Sequence, residues 1–218
     1  FSRAKLTETA KAMGERLGEE GYAFANVNAV PRVDDAAHQV ALNFVVDPGK
    51  RVYVRRANFQ GNIKTQDDVL RRELRQTEGS WFSTKDIERS KTRLQRLDYL
   101  ESVNLETPAV PGVNDQVDAN FTVVERPSGS LMFGIGYGQE SGLLLNASVT
   151  QNNFMGTGNL LSLVLNDSDT GQNYSLSYNN PYYTPDGVSR GFRFYYREID
   201  SNATNTAHYI LNSYGAQA

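Results

Sequence analysis

From residue 130 onward, large apolar side chains alternate with small or polar ones. In the stretch Ser130 to Gly138, Leu131, Phe133, Ile135 and Tyr137 occupy every second place, with Met132, Gly134, Gly136 and Gly138 between them. Strand side chains point to opposite faces with period two, so this stretch predicts a strand with one bulky face and one nearly bare face. The alternation recurs in 143–152 (Leu143, Leu145, Ala147, Val149), 159–166 (Leu161, Leu163, Leu165) and 172–179 (Tyr174, Leu176, Tyr178). It continues in 188–199, where Phe192, Phe194 and Tyr196 oppose Arg193, Tyr195 and Arg197, and in a sixth strand over 206–215. Between these lie the turn Glu140-Ser141-Gly142, the turn 154–158, the loop 167–171, the turn 181–187 and the loop 200–205. A tilted strand of roughly 9–11 residues crosses a bilayer. A sheet in lipid turns its apolar face outward and keeps small or polar residues inside. The smallest membrane barrels have about eight strands, so six predict an incomplete barrel and a chain truncated at that end. Phe154, Tyr182 and Tyr183, carried on turns, suit an aromatic girdle at the membrane interface.

Before residue 127 the period changes. Leu6, Ala10, Met13 and Leu17 recur at helical spacing behind Ser2, predicting a helix over 2–19 that Gly18 and Gly21 end. Two strands follow, 27–33 and 39–46, around an Asp34-Asp35 turn. The turn Asp47-Pro48-Gly49-Lys50 leads into a strand over 52–59. Thr65 is placed to cap a helix over 66–75, with Asp67 and Asp68 in its first turn. Ser83 is placed to cap a second, over 84–97, with Ile87, Leu94 and Leu97 on its buried side. Strands over 102–110 and 116–125 complete the order βααββ. An internal repeat runs through this region. At an offset of 77, Arg16/Arg93, Leu17/Leu94, Tyr22/Tyr99, Pro31/Pro108, Gln39/Gln116, Val40/Val117, Asn43/Asn120, Phe44/Phe121 and Val46/Val123 are identical. Residues 1–49 therefore match the later part of the 50–126 module, and the chain is expected to begin inside a domain.

Composition sharpens the division. Residues 1–126 hold 19 of the 22 Lys and Arg and 19 of the 25 Asp and Glu, so 38 of 126 are charged. In 127–218 the figure is 9 of 92, and Lys is absent. Soluble domains carry about 25% charged residues; the first part meets that norm and the second does not. The net charge of -3 gives no basis for binding nucleic acid, and the lack of Cys removes disulfides, Cys-based metal sites and thiol nucleophiles. No run of 18 apolar residues predicts a transmembrane helix. The two histidines, His38 and His208, have no Ser or carboxylate at motif spacing. The glycines of 134–138 lack a following helix and the third Gly of a nucleotide loop, and 167–171 lacks the distal Glu of a calcium loop. No catalytic residue, metal site or cofactor is expected, and the chain reads as a protein that is not an enzyme.

Phe59-Gln60-Gly61-Asn62, Leu70-Arg71-Arg72-Glu73, Glu78-Gly79 and Val110-Pro111-Gly112 resemble a POTRA domain. Phe133-Gly134-Ile135-Gly136-Tyr137-Gly138, Asn153-Phe154-Met155-Gly156-Thr157-Gly158, Asn180-Pro181-Tyr182 and Asp186-Gly187-Val188-Ser189 resemble the first strands and turns of the barrel that follows POTRA domains in outer-membrane assembly proteins. The resemblance covers almost the whole chain and keeps the motif order. It implies α+β POTRA modules (βααββ) followed by the first antiparallel strands of a truncated transmembrane β-barrel. Residues 1–49 would be the C-terminal part of a fourth POTRA domain, 50–126 a complete fifth, and 127–218 the first six barrel strands.

The strand at 131–138 carries the main functional expectation. From its residues alone it reads either as a strand paired on both sides or as an edge. An unpaired backbone in lipid costs several kcal/mol per group, so an edge there would bind an incoming strand by β-augmentation. Gly134, Gly136 and Gly138 weaken the strand, which favours an adaptable edge. The resemblance implies that Leu131, Met132, Phe133, Gly134, Ile135, Gly136, Tyr137 and Gly138 form the family's lateral gate for unfolded β-barrel clients. It also implies that the Glu78-to-Trp81 loop, with Glu78, Gly79 and Trp81, docks accessory lipoproteins of the assembly complex such as BamD, although Asn58 stands where relatives can carry Arg. POTRA sheet edges offer clients a second groove. The expected function is that of an insertase in the outer membrane, in contact with its lipid and with periplasmic POTRA domains. The alternative is a POTRA-barrel secretion pore that passes polypeptide through its lumen.

Overall fold

The structure is a computed structural model that describes residues 2–34, 39–139, 141–200 and 209–218. Asp35, Glu140, both histidines and most of the 200–205 loop lie outside the described residues. The chain divides into two compact units: Phe1–Asn62 with Glu73–Val124, and Ile63–Arg72 with Glu125–Ala218.

In the first unit, helix α1 (Arg3–Glu19) follows Ser2, whose side chain accepts from Lys5 N. Strands β1 (Asn26–Asp34) and β2 (Gln39–Asp47) pair antiparallel from Asn26↔Asp47 to Asp34↔Gln39. Strand β3 (Tyr53–Gln60) comes next. The short helix α2 (Asp67–Arg71) belongs to the second unit. Helix α3 (Thr84–Gln95) is capped as expected, the Ser83 hydroxyl accepting from Asp86 N at 3.3 Å. Strands β4 (Leu100–Glu106) and β5 (Gln116–Glu125) complete a sheet of order β3-β5-β4, with β3 parallel to β5.

β5 is central, so its inward residues Val117, Ala119, Phe121 and Val123 are all buried, with Val52, Val54, Ile87 and Leu94 among the core beside them. Ser90 is fully buried and explains how the chain before α3 is tied down: its hydroxyl accepts from Arg75 N (2.8 Å) and Gln76 N (3.2 Å) and donates to Asp86 O (2.6 Å). The two repeat copies diverge in burial. Val117 and Val123 are 0% and 2% exposed, whereas their counterparts Val40 and Val46 are 39% and 44% exposed in the two-stranded β1–β2 sheet.

One expectation is overturned here. The helix after Thr65 is only five residues long, begins behind Gln66 and has no side-chain cap. Thr65 is not its N-cap because its hydroxyl is used elsewhere, accepting from Asn153 Nδ2 at 2.8 Å.

The second unit carries a six-stranded antiparallel meander: β6 (Gly129–Gly138), β7 (Gly142–Phe154), β8 (Asn159–Ser168), β9 (Gly171–Asn180), β10 (Arg190–Asp200) and β11 (Ile210–Gln217), each paired with the next. Register sorts the two faces. One row across the sheet reads Leu131–Val149–Leu163–Leu176–Phe194–Ala216, and the next Phe133–Ala147–Leu165–Tyr174–Tyr196–Tyr214. The opposite face carries Gly134–Asn146–Asn166–Asn173–Arg197–Ser213. Many of the apolar row members are exposed. A sheet whose unburied face is apolar and whose other face is polar fits lipid outside and water within. No described helix is long and apolar enough to cross a membrane, which says nothing of strands.

Candidate functional site

β6 is the end strand of the meander and pairs only with β7, from Gly129↔Gln151 to Gly138↔Gly142. Its other edge is unpaired among the described residues. An edge strand presents a row of backbone N–H and C=O groups to any strand that approaches. All eight expected residues of 131–138 lie on this one strand, and the apolar ones are well exposed, Tyr137 at 80%. Packing does not require Gly134 or Gly136. A Cβ at Gly134 would meet the Asn146 side chain at 3.9 Å, and one at Gly136 would meet Leu144 at 3.7 Å, both ordinary contacts. What their absence of side chains does is lower the strand's own stability.

The base of β6 is fastened. Asn152 N donates to Ser128 O and Gln151 Nε2 to Ser128 Oγ, both at 2.9 Å. Immediately beyond, the β7–β8 turn is held in an unusual conformation. Asn153 and Met155 have φ of 58° and 54°, in the left-handed region that Asn tolerates better than most residues. Asn153 is buried; its Oδ1 accepts from Gly158 N at 2.8 Å, closing the turn, while its Nδ2 reaches Thr65. Gly156 O accepts from Gln66 N at 3.0 Å. Glu125 grips the same segment: its two carboxylate oxygens accept from Lys64 N (2.9 Å) and Thr65 N (2.7 Å). Burial pushes the Glu125 carboxyl up, but hydrogen bonds from the Thr65 hydroxyl and the backbone of Lys64, Thr65 and Ile63 outweigh it and hold the group below its ordinary value.

The expected interface aromatics sit on turns at this same end of the sheet. Phe154 closes β7, and Tyr182 and Tyr183 lie between β9 and β10. The Tyr182 ring lies under the Arg72 guanidinium at 4.5 Å, and Tyr183 under Arg190 at 4.7 Å. Sequence reasoning missed the cluster of Thr65, Arg72, Glu125 and Asn153. The available signal was an Asn before a Gly-x-Gly turn; its partner, 88 residues earlier, has none.

In the first unit, the expected docking residues Glu78, Gly79 and Trp81 occur together in a segment bound along the first half of β3. Gly79 N donates to Val54 O at 2.7 Å, Val54 N to Ser80 O at 3.0 Å and Phe82 N to Val52 O at 3.0 Å. Glu78 Oε1 accepts from Ala57 N at 2.8 Å. Trp81 stacks on Tyr53 at 3.9 Å, with the Arg51 guanidinium 5.1 Å from its ring, and remains 44% exposed. This segment covers the start of the β3 edge, over residues 52–54. Asn58 donates from Nδ2 to Asn120 Oδ1 at 2.9 Å, across the β3–β5 pair.

Residues 1–49 and 52–126 match the POTRA family, described as a surface antigen variable number repeat, and residues 153–218 match the Omp85 superfamily domain. The outer membrane protein assembly factor BamA of Neisseria meningitidis is 35% identical over 95% of this chain, which covers 26% of that protein. BamA of Buchnera aphidicola is 34% identical over 99% of the chain and 35% of its own length. The crystal structure of Haemophilus ducreyi BamA lacking POTRA domains 1–3 superposes with a TM-score of 0.89 and 41% identity, over 99% of this chain and 41% of that one. The chain thus spans about a quarter to a third of the length of the curated relatives it matches. With POTRA modules on the periplasmic side and strands in the outer membrane, the chain belongs to the POTRA family, carries an Omp85 superfamily match over 153–218 and groups with the BamA relatives.

Proposed function

We propose that this chain is the gate-bearing part of a β-barrel assembly factor that receives unfolded outer-membrane proteins and promotes their folding and insertion. Residues 1–49 are the closing part of a fourth POTRA domain, 50–126 the fifth, and 127–218 the first six strands of the barrel. The observation that carries the reading is the β6 edge: ten residues that among the described residues pair on one side only, apolar toward lipid, weakened by Gly134, Gly136 and Gly138. A client's terminal strand adding to that edge satisfies backbone groups that lipid cannot, so strand exchange itself supplies the driving force. The mechanism needs no nucleotide, cofactor or catalytic residue, and the protein acts without enzymatic chemistry. The 78–81 segment, with its half-exposed Trp81, is the docking point for an accessory lipoprotein of the BamD type.

Single cysteine substitutions at 131–138 of the full-length protein test this, since the chain contributes no Cys of its own. The expected result is crosslinking to the terminal strand of a stalled client. Capture solely through the polar face, for example at Asn146→Cys or Asn173→Cys, would instead indicate passage through a lumen and overturn the gate reading in favour of a secretion pore.

A further inference from the structure

We infer that Thr65 and Asn153 are positioning residues that latch the foot of the gate strand, so that β6 can loosen from its far end while its base stays fixed. The segment 63–72 falls within the POTRA match yet clusters with the strands. Three kinds of contact hold it there. The Glu125 carboxylate forks over Lys64 N and Thr65 N. The Thr65 hydroxyl, 3% exposed, accepts from Asn153, and Gln66 N bonds to Gly156 O. Arg72 Nη2 donates to Thr157 O at 3.4 Å while its guanidinium covers Tyr182, so one side chain spans two turns of the meander.

The fit is close enough to exclude side chains. A Cβ at Gly156 would lie 2.0 Å from Lys64 O, and one at Gly158 would lie 2.3 Å from Arg72 Nη2. Both glycines have positive φ, which favours Gly at each; at Gly156 the obstacle is backbone as well, whereas at Gly158 it is the movable end of Arg72. The latched turn starts at Asn153, directly after the two residues, Gln151 and Asn152, that hold Ser128 at the base of β6. At the other end, beside the β6–β7 turn, Asp169 N donates to Ser141 O at 3.1 Å. The fold therefore fixes the base of the gate strand through side chains from a segment about 60 residues earlier.

The consequence for client entry rests on the proposed function, but the latch itself is tested without a client. In the full-length protein in lipid nanodiscs, Thr65→Val removes the hydroxyl with its bonds to Asn153 and to the Glu125 carboxylate, and keeps the Asn153–Gly158 bond that closes the turn. Arg72→Leu tests the second tie independently. Hydrogen–deuterium exchange of peptides over 128–133 and 150–158 is expected to speed up at least about threefold in each variant, since each loses more than one contact, with 117–123 unchanged. Unchanged exchange at 128–133 in both variants, or an equal rise across all six strands, would overturn the latch. Failure of client capture at 131–138 would overturn the function and leave the latch standing.

Discussion

Glu125 shows how a single carboxylate can organise a loop. It sits at the end of β5 with both oxygens accepting backbone N–H groups, an arrangement that stabilises the ionised form more than partial burial opposes it. Its folded value therefore lies below the ordinary carboxylate one. A depressed folded value means the contribution is present above the unfolded value, about 4.5, and is lost as pH falls through the folded one. Relative to Glu125→Gln, the native protein is expected to protect the Lys64 and Thr65 amides more strongly at neutral pH. That advantage should fade only below pH of about 4.5, as read by amide NMR at matched pH. Thr65 makes the same point from the other side. Its type suits a helix cap, but a buried partner at 2.8 Å took the hydroxyl, and the helix behind it shortened to one turn.

At the level of the element, α3 is the best-specified part of the first unit. Its N-cap and its buried Ile87 and Leu94 follow from local pattern, while it ends at Gln95, two residues short of the expected Leu97, which lies half-buried beyond it. Its interior Ser90 does not. A serine in mid-helix usually bonds its own preceding turn, and this one does, to Asp86 O. It also receives two backbone donors from the chain before α3. Ser90→Ala leaves Arg75 N and Gln76 N without that acceptor and is expected to cost about 1–3 kcal/mol. Ser83→Ala loses one half-buried cap bond and is expected to cost about 1 kcal/mol. Urea midpoints compare the two, and equal or reversed costs would refute the account of Ser90 as the staple. The β6 strand behaves differently from α3: its pairing is regular, but its neighbours do not need Gly134 or Gly136, so its sequence specifies a weak edge rather than a packed one.

For the molecule as a whole, the orientation of the meander decides which substitutions are tolerated. Leu163 and Ser148 are both on strands paired on each side, but they point to opposite faces. In the full-length protein, Leu163→Arg puts a charge on the lipid face and is expected to reduce folding stability in vesicles by about 2–4 kcal/mol if it lies near mid-bilayer. Ser148→Arg, on the polar face, should be nearly neutral by the same urea titration. The reverse order would mean that the apolar rows face another protein layer instead of lipid.

Much of this protein was legible along the chain because its signals are local. Period-two alternation announced all six strands, the charge change near residue 126 announced the move from water to lipid, and the offset-77 repeat announced two related modules. That 131–138 form one strand at the end of the meander is legible in the sequence, because a strand's faces and its place in a meander follow from order alone. What only the tertiary structure decided are contacts between segments far apart in sequence: Thr65 with Asn153, Arg72 with Tyr182, Glu125 with the loop before α2, and the 79–82 segment covering the start of β3. Each of these satisfies a backbone or side-chain polar group whose partner lies tens of residues away, and no local pattern records which donor meets which acceptor. The repeat makes the same distinction within one fold, since Val40 and Val117 are the same residue at equivalent positions, and only packing leaves one exposed and the other buried.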